Sequence, residues 1–112
     1  MADQYFTNAR LIDPEAGTDS IGWLRVVDGV IAEIDNGDAP KTGLDCNGKC
    51  LAPGIVDIGV KVSEPGERHK ESFRSAGRAA AAGGVTTMVT RPDTDPAIDT
   101  PEVLEFVAKR AL

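Results

Sequence analysis

The fold is decided by the stretch Leu51-Ala-Pro-Gly-Ile-Val-Asp-Ile-Gly-Val-Lys-Val62. After Pro53-Gly54 every even position is branched and apolar, and these residues are Val56, Ile58, Val60 and Val62. The odd positions are small or polar, and these residues are Asp57, Gly59, Lys61 and Ser63. Neighbouring residues of a strand point to opposite faces, and a nearly continuous apolar run is typical of a strand covered on both faces. We therefore predict a parallel strand over 55–62 whose apolar side packs on helices.

The residues that follow predict alternating helices and strands. Arg68 to Ala82 has apolar residues along one side, which favours a helix, and Gly83-Gly84 ends it. Residues 85–90 are rich in β-branched side chains and predict a second strand. Thr100 is a good N-cap, and Pro101 suits the first position of a second helix. The βαβα order over 53–112 predicts the start of a (β/α)8 TIM barrel, with the odd positions of its first strand facing the barrel axis and mouth.

Residues 1–52 predict the N-terminal part of a small β-sandwich-type domain built of antiparallel strands. Tyr5 to Ile12 is one predicted strand, and 21–27 and 30–35 are two more, joined by the hairpin signal Asp28-Gly29. Alternation predicts that this hairpin is half-buried. One face of its second arm would carry Val30, Ala32 and Ile34, and the other Ile31, Glu33 and Asp35. Short runs on either side of a second tight-turn signal, Asn47-Gly48, would complete the unit.

Composition narrows the function. The net charge of −6 and the sequence pI near 4.6 argue against a cation-rich surface for nucleic acid. No apolar run approaches the roughly 18 residues of a membrane span, and the first residues lack the regions of a signal peptide. We expect a cytoplasmic protein without nucleic-acid or membrane partners. Because a closed barrel takes roughly 250 residues, we also expect the chain to be an N-terminal piece of a larger protein.

The two cysteines lie on either side of the Asn-Gly turn. Two reduced thiols are the favoured interpretation of Cys46 and Cys50. A zinc site would need two more ligands, and His69 is the one histidine of the sequence. A disulfide would be unusual in a reducing compartment.

Five segments of the second half resemble dihydroorotase of the amidohydrolase superfamily, the long bacterial type. They are Pro53-Gly-Ile-Val-Asp57, Glu64-Pro-Gly66, His69-Lys-Glu71, the stretch from Arg78 to Thr87, and Pro92 through Pro101. Together they span residues 53–101 in one register without gaps. The resemblance implies a hydrolase fold of pyrimidine biosynthesis, in which a metal-bound hydroxide opens a cyclic amide. The first 52 residues resemble, more weakly, the small β-domain that accompanies such barrels.

The resemblance assigns roles to four positions at which this sequence holds other residues. The family ends its first strand in His-x-His-x-Arg, with two zinc ligands and an arginine for the substrate carboxylate. This sequence has Gly59, Lys61 and Ser63 there. The family asparagine that contacts substrate after the second strand is replaced by Asp93, which would repel a carboxylate. The resemblance would place Asp57 next to the metal ligands but not in contact with the metal. The favoured interpretation of Asp57 is an inward-facing carboxylate that forms hydrogen bonds within the barrel.

These departures favour a non-catalytic dihydroorotase-like protein, a pseudoenzyme with neither catalytic nor metal-binding residues in this chain. The resemblance then implies an assembly partner of aspartate carbamoyltransferase, in a homo- or hetero-oligomer. The alternative is an active dihydroorotase or other cyclic amidohydrolase that uses zinc held by ligands after Leu112.

For Lys61 and His69 the sequence allows more than one role. Lys61 could form a Schiff base, but a structural ion pair is favoured. We predict that its amine lies within about 4 Å of Asp93 or Asp57 and fills the former metal site. His69 is predicted to cap or pack at the start of the first helix rather than to take part in catalysis.

Overall fold

The computed structural model describes residues 2–112 and divides the chain into two compact units, Met1–Pro53 and Gly54–Leu112. The first unit is a five-stranded sheet, and the second holds two parallel strands and two helices. The chain is therefore a mixed α/β protein. That 1–52 and 53–112 belong to separate folding domains remains a prediction. Within residues 2–112 no helix has the length and apolar character needed to cross a bilayer.

The sheet of the first unit is built around one long strand. Its strands are β1 (Asp3–Asp13), β2 (Thr18–Val27), β3 (Val30–Asn36), β4 (Leu44–Asp45) and β5 (Cys50–Leu51). The order is β3-β2-β1-β4, with β5 also paired to β1. The predicted hairpin between β2 and β3 is confirmed, and Asp28 and Gly29 both have positive φ, at 50° and 82°. Two positive φ angles are what a two-residue type I′ hairpin turn requires.

The prediction of an all-antiparallel unit is wrong on the other side of β1. There β4 and β5 both run parallel to β1, with Phe6 opposite Leu44 and Leu11 opposite Leu51. The Asn47-Gly48 turn therefore does not reverse the chain. It forms a short loop beside the irregularity of β1 at Asn8, where φ is 52°. The Asn8 carbonyl accepts a hydrogen bond from Gly48 N at 2.8 Å. A bulge leaves a residue unpaired in the ladder, and here the Asn47-Gly48 turn supplies a partner for its carbonyl.

The predicted faces of β3 are also wrong. The register shifts between Arg25 and Val26, so that Val26 pairs with Ile31 and Ala32 becomes the extra residue. Ile31 and Ile34 consequently line the same concave surface, because a bulge changes the alternation of a strand. All of β3 is exposed, so the half-buried hairpin is buried only along β2.

The second unit has the predicted βαβα order. Its elements are β6 (Ile55–Val60), α1 (Phe73–Ala82), β7 (Val85–Thr90) and α2 (Pro101–Ala111), and β6 and β7 pair in parallel. The predicted start of the first helix at Arg68 is wrong. Ser72 accepts a hydrogen bond from Ser75 N at 3.2 Å, and this capping box begins α1 at Phe73. The predicted cap and first position of α2, Thr100 and Pro101, are confirmed. Closure into a barrel stays a prediction.

The alternation of β6 breaks at Gly59. Its φ is +103°, and the register with β7 shifts between Ile58 and Val60. After this break Val60 and Val62 pack in the core of the unit, together with Phe73, Ala76 and Val107. Before it, Val56 and Ile58 are 61% and 78% exposed. The prediction of one apolar side along the whole of 55–62 is therefore wrong, because the alternation changes at Gly59. Cover on both faces of the first half of β6 stays a prediction.

Candidate functional site

Lys61 and Asp93 meet where the two parallel strands end. Lys61 is the first residue after β6, and Asp93 follows the last residue of β7 by three positions. The Lys61 Nζ lies 3.5 Å from an Asp93 carboxylate oxygen. The prediction that the Lys61 amine lies within about 4 Å of Asp93 or Asp57 is confirmed for Asp93. The two side chains are about half exposed.

Arg91 is a third member of this cluster, and the sequence analysis missed it. Its Nη2 and Nε lie 2.9 and 3.1 Å from the two Asp93 carboxylate oxygens, which makes a bidentate pair. Its backbone N–H donates to the Val60 carbonyl at 2.9 Å and continues the β6–β7 ladder. The signal in the sequence is the spacing Arg-x-Asp directly after a strand, since residues two apart in extended chain share a side.

The two cations control the ionisation of Asp93. The largest single effect on its carboxyl is partial loss of hydration, which raises the pKa. Attraction to Arg91 and Lys61 outweighs that effect, so the pKa of Asp93 ends below its ordinary value of 3.8. Asp93 is therefore ionised at neutral pH. Two cations around one carboxylate leave the cluster with one net positive charge.

The remaining residues singled out by the sequence are only partly gathered here. Asp57 is exposed and, with Lys61 and Glu71, lines a cavity of about 190 Å³ beside α1. Ser63 is half-buried, and its backbone carbonyl accepts a hydrogen bond from Glu67 N at 2.8 Å. The predicted role of His69 is wrong, because the cap of α1 is Ser72 and His69 is exposed.

Within residues 2–112 no three side chains of His, Cys, Asp or Glu converge as a metal site would require. Both cysteines are free thiols, Cys46 half-buried and Cys50 exposed. The donor set around Lys61 consists of two cations and one carboxylate that they already occupy, which does not fit a zinc ion.

The sequence analysis gave no special role to Glu64, which the structure places in a buried network. This side chain is only 2% exposed. One carboxylate oxygen accepts a hydrogen bond from Phe73 N at 2.9 Å, and the other accepts one from Arg110 Nε at 2.7 Å. Arg68 lies farther away, at 3.5 Å. The contact with Phe73 N is the expected one for an acid near a helix start, but the contact with Arg110 spans 46 residues of sequence and leaves no local signal.

Burial and ion pairing act in opposite directions on Glu64. Burial is the largest effect and raises the pKa of its carboxyl. The hydrogen bonds from Arg110 and Phe73 N, with attraction to Arg110 and Arg68, more than offset it. The pKa of Glu64 is therefore lowered from its ordinary value of 4.5.

We expect Glu64→Gln to change how stability depends on pH. Because the pKa of Glu64 is lowered by folding, its ionised form stabilises the fold above pH 4.5, and this contribution is lost as the pH falls below 4.5. The free energy of unfolding of the variant at neutral pH should be lower by about 2 kcal/mol. It should also fall less steeply in acid. Urea unfolding of the intact protein at a series of pH values measures both quantities.

Glu105→Gln is the matched control, since it removes the same charge from an exposed pair with Lys109. Its pH profile should follow that of the unaltered protein. Parallel profiles for Glu64→Gln and the unaltered protein would contradict the assignment of Glu64 as a buried, ionised partner.

Similar proteins agree on one family. Residues 48–112, more than half of the chain, match the family model described as Dihydro-orotase-like. The chain is 43% identical over 115 residues to a dihydroorotase from Anaplasma phagocytophilum (strain HZ), covering 96% of this chain and 26% of that protein. It is 43% identical over 108 residues to a dihydroorotase-like protein from Pseudomonas putida, covering 92% and 25%.

A solved structure is similar over the same length. The L-hydantoinase (dihydropyrimidinase) from Arthrobacter aurescens superposes with a TM-score of 0.80 at 27% identity, covering 99% of this chain and 25% of that one. The chain thus spans about a quarter of the length of the relatives it matches.

Proposed function

Because the chain belongs to the dihydroorotase-like family, we propose that the protein is a non-catalytic dihydroorotase homologue of pyrimidine biosynthesis. The observation that carries the proposal is the ion pair between Lys61 and Asp93. The family resemblance places a zinc ligand at the first position and a substrate-binding asparagine at the second. In this protein the two side chains bind each other instead.

The first supporting argument is the chemistry of the metal site. Zinc is bound by lone pairs of imidazole, thiolate or carboxylate groups. Gly59 offers none, and the Lys61 ammonium, which lies 3.5 Å from an Asp93 carboxylate oxygen, has only N–H donors. The net positive charge of Lys61, Arg91 and Asp93 also opposes the approach of a divalent cation.

The second argument is the backbone at Gly59. A φ of +103° lies where side chains with a Cβ are strained, although a Cβ there would meet no atom within 4 Å. A histidine at this position would therefore need the strand to change its local path. On this account the metal site is lost in the backbone as well as in the side chains.

The third argument concerns the substrate. Both Asp93 oxygens are occupied by Arg91, and one also faces Lys61. A carboxylate substrate would meet a like charge at Asp93 and no arginine at Ser63, where the family pattern has one. Orientation of the reacting group is a large part of such catalysis, so these two changes would oppose turnover even with a metal bound.

We further propose that the complete protein forms a closed (β/α)8 barrel and assembles with aspartate carbamoyltransferase. The exposed apolar face of β6 and β7, which includes Val56, Ile58 and Val89, supports the first point because buried parallel strands carry such faces. The partner rests on the family resemblance described for residues 53–101.

The second candidate is an active dihydroorotase with metal ligands in the part of the protein after Leu112. It is favoured by the names of several relatives about 40% identical to this chain, which are dihydroorotases. In that case zinc would be a cofactor held without residues 59 and 61.

Assays of the unaltered protein and of one double variant separate the two candidates. The intact protein should not hydrolyse dihydroorotate, and Gly59→His with Lys61→His should not restore hydrolysis. The physical reasons are the strained backbone at residue 59 and the absence of a binding group for the substrate carboxylate at Ser63 and Asp93. Turnover is measured by the absorbance of dihydroorotate with added zinc.

The strain at residue 59 is tested separately by the stabilities of two variants, Gly59→Ala and its matched control Gly77→Ala. We expect Gly59→Ala to lower the free energy of unfolding by about 1–2 kcal/mol because residue 59 has a positive φ. Gly77→Ala within α1 should raise it by up to about 1 kcal/mol.

Turnover by the unaltered protein would support the second candidate. Turnover by the double variant alone would show that only the metal ligands had been lost.

If the partner is correct, the intact protein and aspartate carbamoyltransferase should elute together on gel filtration. A mass above that of either protein alone is the expected result. Separate elution over a range of concentrations near and above the micromolar level would contradict the proposed assembly.

A further inference from the structure

We propose that Glu64 is the positioning residue of the Lys61–Asp93 pair, through a buried clamp that it forms with Arg110. The proposal rests on the proposed function in one respect, which is that this pair fills the former metal position. The Glu64 carboxylate has no contact with Asp93 and is not part of that pair, so its role would be to fix the position of Lys61. Charged side chains are seldom this deeply buried without a partner, and Glu64 has three.

The clamp joins three segments at one carboxylate. Phe73 N–H, from the first residue of α1, donates to one oxygen, and Arg110, in the last turn of α2, donates to the other. Directly beside this carboxylate in sequence lie Ser63 and the buried Val62, which packs with Phe73 and Val107. Hydrogen bonds to a charged group in such water-poor surroundings are short and directional.

Lys61 stands at the point where the chain leaves its sheet. The ladder between β6 and β7 ends with the bond from Arg91 N to the Val60 carbonyl. The next backbone bonds of this loop are local, from Glu67 N to Ser63 O and from Lys70 N to Glu67 O, both at 2.8 Å. Three residues after Lys61, the Glu64 side chain therefore supplies the hydrogen bonds that tie this loop to the two helices, beside the apolar packing of Val62.

The stability of an exposed ion pair depends strongly on how firmly the backbone of its lysine is fixed. A flexible side chain loses conformational freedom when it forms an exposed ion pair, and the gain in attraction is small. Lys61 is 54% exposed, so its pair with Asp93 persists only if the chain at Lys61 is already fixed. The buried neighbour Val62 and the clamped Glu64 supply that constraint.

Arg110 rather than Arg68 is the partner that matters. Arg110 Nε lies 2.7 Å from the carboxylate, whereas Arg68 Nε lies 3.5 Å away on a side chain that is 67% exposed. Arg68→Ala should therefore change the pair much less than a change at Arg110.

The test is the pKa of the Asp93 carboxyl, followed by carbon NMR in the intact protein. Lys61→Met defines the raised pKa that Asp93 has when its lysine partner is absent. We expect Glu64→Gln to raise the pKa of Asp93 toward that reference, and Arg110→Lys to raise it in the same direction. Glu105→Gln, which removes an equal charge from the exposed side of α2, should leave it unchanged.

The direction in which the pKa of Asp93 changes distinguishes a positioning role of Glu64 from a direct electrostatic effect of its charge. Removing a nearby negative charge without moving Lys61 would lower the pKa of Asp93, because its anion would be less repelled. Loss of the positioned lysine raises it. A purely structural role for Glu64 would reduce stability and leave the titration of Asp93 where it was.

A lowered or unchanged pKa of Asp93 in Glu64→Gln would overturn the proposal. If that variant does not fold, Arg110→Lys decides in its place, since it keeps the charge and loses the planar fork. The result is independent of the proposed function: zinc binding or hydrolysis by the unaltered protein would defeat that function, whereas the Asp93 titration measures only the clamp.

Discussion

The geometry of the second unit depends on the backbone of one residue, Gly59. Its φ of +103° shifts the register between β6 and β7, and the side chains after it change faces. Val60 and Val62 can then pack with Phe73 and Val107, while Lys61 between them reaches Asp93. Glycine adopts this conformation without the strain that a Cβ would introduce. The same residue therefore shapes the core and, under the proposed function, leaves no side chain at the position of a family metal ligand.

The site formed in this way is an arrangement of charges rather than of ligands. Asp93 accepts from Arg91 in a fixed, bidentate geometry, and Lys61 adds a longer and looser contact. Both side chains of the looser pair are about half exposed, so it contributes little to stability by itself. Under the proposed function its significance is chemical, because it leaves a net positive charge where the family resemblance places metal ligands. The buried Glu64 is the opposite case, a carboxylate with short hydrogen bonds to Phe73 N and Arg110, and we expect its loss to destabilise the fold.

The sequence predicted the features that depend on local chemistry. The Asp28-Gly29 hairpin, the Thr100 cap with Pro101, and the βαβα order were all visible as short patterns. The Lys61–Asp93 contact also followed, since parallel strands in sequence order bring their carboxyl ends together.

What the sequence could not predict depends on bulges and on distant partners. The parallel pairing of β4 and β5 lies on either side of an irregularity of β1, where the carbonyls of Thr7 and Asn8 accept hydrogen bonds from Cys46 N and Gly48 N. Alternation rules assume regular strands, so they failed at Ala32 and at Gly59. The importance of Glu64 comes from Arg110, and a pair this far apart in sequence is seen only in the folded chain.

Under the proposed function Lys61 occupies the place of a metal ion. Crystals of the intact protein grown with zinc, measured on both sides of the zinc absorption edge, test it most directly. The account predicts no anomalous peak near Asp57, Lys61 or Asp93, and a Lys61 amine that remains within about 4 Å of the Asp93 carboxylate. A fully occupied zinc ion at the carboxyl ends of β6 and β7, with Lys61 turned away from Asp93, would contradict it.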